Sequence, residues 1–194
     1  GGTARFFSGL TVEDFRRRMS VLRLTRRDLE ELRPDIEEFA QRMSARGVDA
    51  TTQVVAYDNE GSIFAARLWW LLRWLGHDRV AVLDGGLAAW RRGGRALDER
   101  VPSVAPRRFT PHPRDMAVGI EQVLADFQSQ RMLIVDARSP QRFRGENETL
   151  DPVGGRIPGA VNRFYFDNLD DDGCFFKPAD RLRGEFTALL AGRP

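Results

Sequence analysis

The sequence predicts an α/β protein made of two tandem units, each a doubly wound parallel sheet that is incomplete within this chain. Three observations carry that expectation. An apolar run, a helix and a second apolar run follow one another between Gln53 and Leu83. A new helix-then-strand succession opens at Ile120 and reaches Asp136. Between them lies a proline-rich stretch with no periodicity. The 194 residues suffice for one large domain or two ordinary ones, and 42% hydrophobic with 30% charged residues is globular composition. That balance excludes a disordered chain and a disulfide-stapled miniprotein.

Residues 1–33 carry helix-start signals, Thr11 with Asp14 and Thr25 with Asp28, and little other pattern. A helix is expected from about Pro34 through Ile36, Phe39, Ala40 and Met43, stopping at Gly47. Val54 to Tyr57 reads as a strand, Asp58 to Gly61 as a turn, and Ser62 as the start of a tryptophan-rich helix of about 14 residues. Val80 to Leu83 closes a βαβ unit, which requires parallel strands and a right-handed crossover. Its helix is apolar almost all round, so a layer is expected on its outer side as well. Asp84-Gly85-Gly86 is read as a structural turn, followed by a short helix, Leu87 to Arg92, closed by Gly93-Gly94. Leu97 to Val118 holds Pro102, Pro106, Pro111 and Pro113 and reads as an extended surface linker. Beyond it, Ile120, Val123, Leu124 and Phe127 mark a helix, and Met132 to Val135 a strand ending at Asp136. A last helix from Pro178 puts Leu182, Phe186, Leu189 and Leu190 on one side. No strand follows it, so the sheet of this unit is expected to be cut short, with an unpaired edge and an exposed apolar face.

Composition removes several function classes. The 30 basic residues balance 28 acidic ones, and all but Lys177 are arginine, whose high pKa keeps the isoelectric point near 9.2 at a net charge of only +2. These arginines are interleaved with acids rather than clustered with aromatics, so no nucleic-acid partner is expected. Cys174 is the single cysteine and His77 and His112 are far apart, which leaves no local metal motif and no intrachain disulfide, and fits a cytoplasmic protein. The most apolar run, Ile63 to Leu75, is interrupted by Arg67 and Arg73 and is too short to span a membrane, so no membrane partner is expected. His77, between helix and strand, is read as a packing or capping residue.

Three ordered stretches then point to a family. They are Gln53-Val-Val-Ala-Tyr-Asp58 through Arg67-Leu-Trp-Trp to Val82-Leu-Asp-Gly-Gly-Leu-Ala-Ala-Trp90, then Val135-Asp-Ala-Arg138 with Arg142-Phe-Arg-Gly-Glu146, and Gly155-Arg-Ile-Pro-Gly-Ala-Val-Asn162. In order and spacing the chain resembles the tandem-domain rhodaneses, the thiosulfate and 3-mercaptopyruvate sulfurtransferases, over roughly residues 34–190. The resemblance implies a non-catalytic amino-terminal domain at 1–96, a linker at 97–118, and the first half of a carboxy-terminal domain at 119–194. It implies sulfur transfer from a small anionic donor to a thiophilic acceptor through a cysteine persulfide, without a cofactor. By motif order the nucleophilic cysteine is expected after Pro194. The resemblance also places Asp58, with Gly61, in the loop equivalent to the nucleophile loop, where a carboxylate cannot carry a persulfide. It makes Arg142 the donor-binding arginine, and guanidinium offers the planar fork an oxyanion needs. Arg138 is the second candidate there, although its spacing from Asp136 suits an ion pair at the strand end.

Two departures stand out. Arg156 occupies a position that is usually histidine, and residues 1–33 show no first strand of the amino-terminal domain. The segment Asn147 to Gly155 contains no arginine, which within the resemblance tilts the donor toward thiosulfate. Cys174 follows Asp170, Asp171 and Asp172, in a turn that offers a thiolate no donor cradle, so it is read as structural or incidental. Competing readings are a non-catalytic rhodanese-like binding or regulatory module and, on a related fold, a phosphatase with a longer cysteine loop.

Overall fold

The computed structural model describes residues 26–59, 62–97, 103–129, 132–149 and 153–191. The chain divides into two compact units, Gly1–Ile120 and Glu121–Pro194. In the first, helix α1 spans Arg26–Ala45. It starts earlier than expected and runs through Pro34, because a single missing N–H removes one ladder bond while the flanking Leu, Glu and Arg residues favour helix. Gly47, at φ 71°, ends it: Val48 N–H bonds the Met43 carbonyl and Gly47 N–H that of Ser44.

Strands β1 (Val54–Ala56) and β2 (Val80–Val82) pair in parallel, Val54 opposite Val80 and Ala56 opposite Val82. The crossover is helix α2 (Ile63–Trp74), which buries Ala65, Leu68, Leu72 and Trp74. These side chains meet Ala40, Met43 and Val48 from the α1 side to form the core of the unit. The outer side of α2 leaves Ile63 and Trp69 exposed, so the expected second covering layer does not enclose those two residues. Helix α3 (Gly86–Arg92) follows β2.

The proline-rich segment, described over 103–118, is extended and mostly exposed, and it is pinned to the first unit. Phe109 is 6% exposed, edge-on to Phe39 and tilted over His77, within the same core. Arg107 N–H bonds the Ser44 carbonyl, His112 N–H that of Leu75 and Arg114 N–H that of Trp74, at 2.8–2.9 Å. The segment thus satisfies carbonyls at the C-terminal ends of two helices, groups that lack intrahelical donors. Ion pairs Arg107–Asp49 and Arg114–Asp78 secure it. Lack of periodicity signals extended chain; the burial of Phe109 depends on Phe39 and His77, which are distant in sequence.

The second unit contains α4 (Ile120–Ser129), β3 (Val135–Asp136), α5 (Pro140–Arg144), β4 (Val161–Asn162), a 3-10 turn (Tyr165–Asn168) and α6 (Ala179–Leu190). Strands β3 and β4 are parallel, Val135 opposite Val161. The observed β3 starts later than the expected strand at Met132, whose N–H is instead held by the Asp126 carboxylate at 2.6 Å. The expected apolar faces exist but are open: Leu124 is 59% exposed, and Val135, Phe186 and Leu190 are exposed too. Two paired strands are too little sheet to cover two helices. Among the described residues, no helix is long and apolar enough to cross a membrane.

Candidate functional site

Two loops at the C-terminal ends of strands carry the chemistry-bearing residues. In the first unit β1 ends at Ala56, and Asp58 turns back over the start of α2. Its Oδ1 accepts from Ser62 N–H and its Oδ2 from Phe64 and Ala65 N–H, each at 2.9 Å. Ser62 sits at the N-cap at φ 69°, with no side-chain cap bond of its own. The residue expected to open the helix therefore cedes its capping to Asp58. The Asp58 carbonyl accepts from Leu87 N–H at 3.1 Å, and a Cβ on Gly86 would lie 2.4 Å from that oxygen. Gly86 is thus required for the approach of α3, as expected for the Gly85-Gly86 turn. Gly61 lies outside the described residues. The backbone donors here converge as in an anion site, and the chain's own carboxylate fills it.

In the second unit Ser139 caps α5, its Oγ accepting from Arg142 N–H, with Pro140 in the first turn. Gly145 ends the helix at φ 83°, and a Cβ there would meet Gly155 N at 3.2 Å. Close packing of these glycine backbones folds the loop back on the strand end. Arg138 makes the expected ion pair with Asp136: its N–H and Nε bond Oδ1 at 2.9 and 3.1 Å, and its Nη2 bonds Oδ2 at 2.7 Å. The Arg138 hydrogen bonds hold the Asp136 carboxyl below its usual range, against the opposing effect of burial. Arg138 Nη2 also donates to the Gly155 carbonyl. Asn162 Nδ2, from β4, bonds the carbonyls of Asp136 and Arg138 at 2.9 Å.

Arg142 lies beside this cluster. Its Nε donates to Glu148 Oε2 at 2.9 Å and to Oε1 at 3.2 Å, and Arg138 Nη1 approaches the same carboxylate at 3.6 Å. The Glu148 side chain is only 6% exposed. The structure therefore brings Arg138 and Arg142 together through an acid that the sequence reading did not single out. Its signal was faint: one Glu in an irregular, glycine-rich loop. Arg156 lies over the Phe143 ring at 4.6 Å and donates to the Phe143 carbonyl, next to Arg142 in sequence.

A second cluster also escaped the sequence. Arg163 follows β4 and meets Glu185 of α6, which also binds Lys177 and Arg181. Hydrogen bonds from Arg163 and then Lys177 lower the Glu185 carboxyl to about 2. Cys174 lies in the acidic turn, its N–H bonded to Asp170 Oδ1 at 2.9 Å. His77 is buried, with Nε2 lacking a hydrogen-bond partner, and burial pushes its imidazole below the usual range.

A family model described as the rhodanese-like domain matches residues 19–92. A probable 3-mercaptopyruvate sulfurtransferase of Pseudomonas aeruginosa is 44% identical over 83% of this chain and 57% of its own length. The thiosulfate sulfurtransferase of Bos taurus is 35% identical over 80% of this chain and 54% of its own. Among solved structures, SseA from Escherichia coli, described as a 3-mercaptopyruvate sulfotransferase with the rhodanese fold, superposes with a TM-score of 0.65. It is 32% identical, over 80% of this chain and 57% of that one. The parallel strands, the two strand-end loops and these likenesses together define a rhodanese-fold protein. The chain belongs to the rhodanese family and spans little more than half the length of the curated relatives it matches.

Proposed function

We propose that this chain is part of a tandem sulfurtransferase that moves sulfane sulfur from thiosulfate or 3-mercaptopyruvate to a thiophilic acceptor. A cysteine thiolate attacks the outer sulfur of thiosulfate, an S–S bond to the enzyme forms, and sulfite leaves with the electron pair of the broken bond. The acceptor then takes the terminal sulfur and the thiolate returns. With mercaptopyruvate the C–S bond breaks and the carbon fragment leaves, taking up a proton as pyruvate. On this reading the nucleophile is a cysteine that follows Pro194. Arg142 receives the anionic end of the donor, and Arg138 braces the strand end beside it.

The observation that carries this reading is the contrast between the two strand-end loops. Asp58 seals the amide cradle of the first unit with a carboxylate, which cannot form a persulfide. The second unit sets Arg142 at the carboxyl end of β3, where open α/β sheets bind ligands. The absence of arginine from Asn147 to Gly155 favours thiosulfate, and a kcat/KM about tenfold higher for mercaptopyruvate would reverse that order.

The test uses the full-length protein with each donor and cyanide as acceptor, and mass spectrometry after donor alone. Turnover, with a mass gain of one sulfur atom on a cysteine, supports the proposal. No turnover and no persulfide would leave a non-catalytic rhodanese-like binding or regulatory module.

A further inference from the structure

Glu148 is a nearly buried carboxylate shared by two guanidinium groups. Burying a charge is costly unless it is paired, and loss of Glu148 would remove the carboxylate that Arg142 Nε bonds, while Arg138 would keep Asp136. The groups form a chain from the strand end outward: Asp136 grips Arg138, Arg138 approaches Glu148, and Glu148 grips Arg142. The inner end is fixed to the backbone through the Gly155 carbonyl. Arg142 meets both Glu148 oxygens through Nε, the inner edge of its fork.

We propose that Glu148 is a positioning residue for anion recognition. Its carboxylate holds Arg142 by Nε and so aims the terminal nitrogens of the guanidinium at the anionic end of the sulfur donor. A long arginine side chain has many rotamers to lose when it binds a ligand. Glu148 fixes those rotamers before the donor arrives, so donor affinity rises without a new donor contact. This inference rests on the reading of Arg142 as the donor-binding residue.

The test takes the full-length protein and measures thiosulfate binding by calorimetry alongside kcat and KM. Glu148→Gln should weaken thiosulfate binding and raise KM about tenfold, with kcat changed less than about twofold. In an Arg142→Gln background the same change should have no further effect on binding, which a purely structural role would not produce. Tighter binding by Glu148→Gln would make Glu148 a competitor of the donor and overturn the proposal. An undiminished effect in the Arg142→Gln background, or lower thermal stability with binding unchanged, would overturn it as well. Should Glu148→Gln fail to fold, Glu148→Asp keeps the charge at shorter reach and takes its place in the same comparison. A parent protein that binds thiosulfate without transferring sulfur defeats the functional reading alone, and the titrations still decide the role of Glu148.

Discussion

Replacing Asp58 by alanine removes one side chain and orphans three amides. The carboxylate accepts Ser62, Phe64 and Ala65 N–H at 2.9 Å at the start of α2, the crossover helix of the first unit. Loss of a single cap typically costs about 0.5–2 kcal/mol, and bonds to a charged group lie at the upper end of the hydrogen-bond range. Asp58 is only half-buried, so water replaces part of what is lost. Together these give about 2–3 kcal/mol for Asp58→Ala, or a fall in Tm of about 10–20 °C for a unit of this size. Asp58→Asn keeps one acceptor oxygen and should lose about half as much. Urea unfolding at neutral pH reads the difference. Sulfate supplies a second arm: it should stabilise Asp58→Ala more than the parent, because only the variant has an unfilled cradle for the ion to bind. A cost for Asp58→Ala below about 0.5 kcal/mol, or equal stabilisation of both proteins by sulfate, would refute the picture of a self-filled anion site.

Three further outcomes follow from the structure. Phe109→Ala should destabilise the first unit by about 3 kcal/mol and make the proline-rich segment cleavable by protease, read by urea titration and limited proteolysis. Glu185, lowered from 4.5 to about 2 chiefly by Arg163 and then Lys177, contributes stability that is full above 4.5 and is lost as the pH falls through about 2. Glu185→Gln should therefore flatten the acid limb of the stability curve across that window, measured by unfolding at stepped pH. Cys174→Ala should leave sulfur transfer by the full-length protein unchanged in a thiosulfate-to-cyanide assay; complete loss would make Cys174 the nucleophile.

Much of the architecture was legible because it is local. The apolar runs at Val54 and Val80 and the helix between them announce a parallel pair; the register, Val54 opposite Val80, came only from the structure. The turn at Gly85-Gly86 was likewise readable from two glycines in succession. The start of α1 was not, since a proline suggests a first turn and cannot report that the flanking residues carry the helix through it. The expected ion pair of Asp136 with Arg138 needs only a two-residue spacing and is present. Glu148, which joins Arg138 to Arg142, needs the loop to fold back on Gly145 and Gly155, and no periodicity marks that event.

Periodicity and turn chemistry pointed to the fold class and three motifs pointed to the family, because each element and each motif is a short run of neighbouring residues. Tertiary structure alone decided that Phe109 enters a core built by other segments, that the amides at the start of α2 converge on Asp58, and that one buried acid holds Arg142. Those are meetings between side chains and backbone at particular angles. They are set by backbone geometry such as the left-handed Ser62 and the close approach of Gly145 to Gly155, which a string of residues does not display.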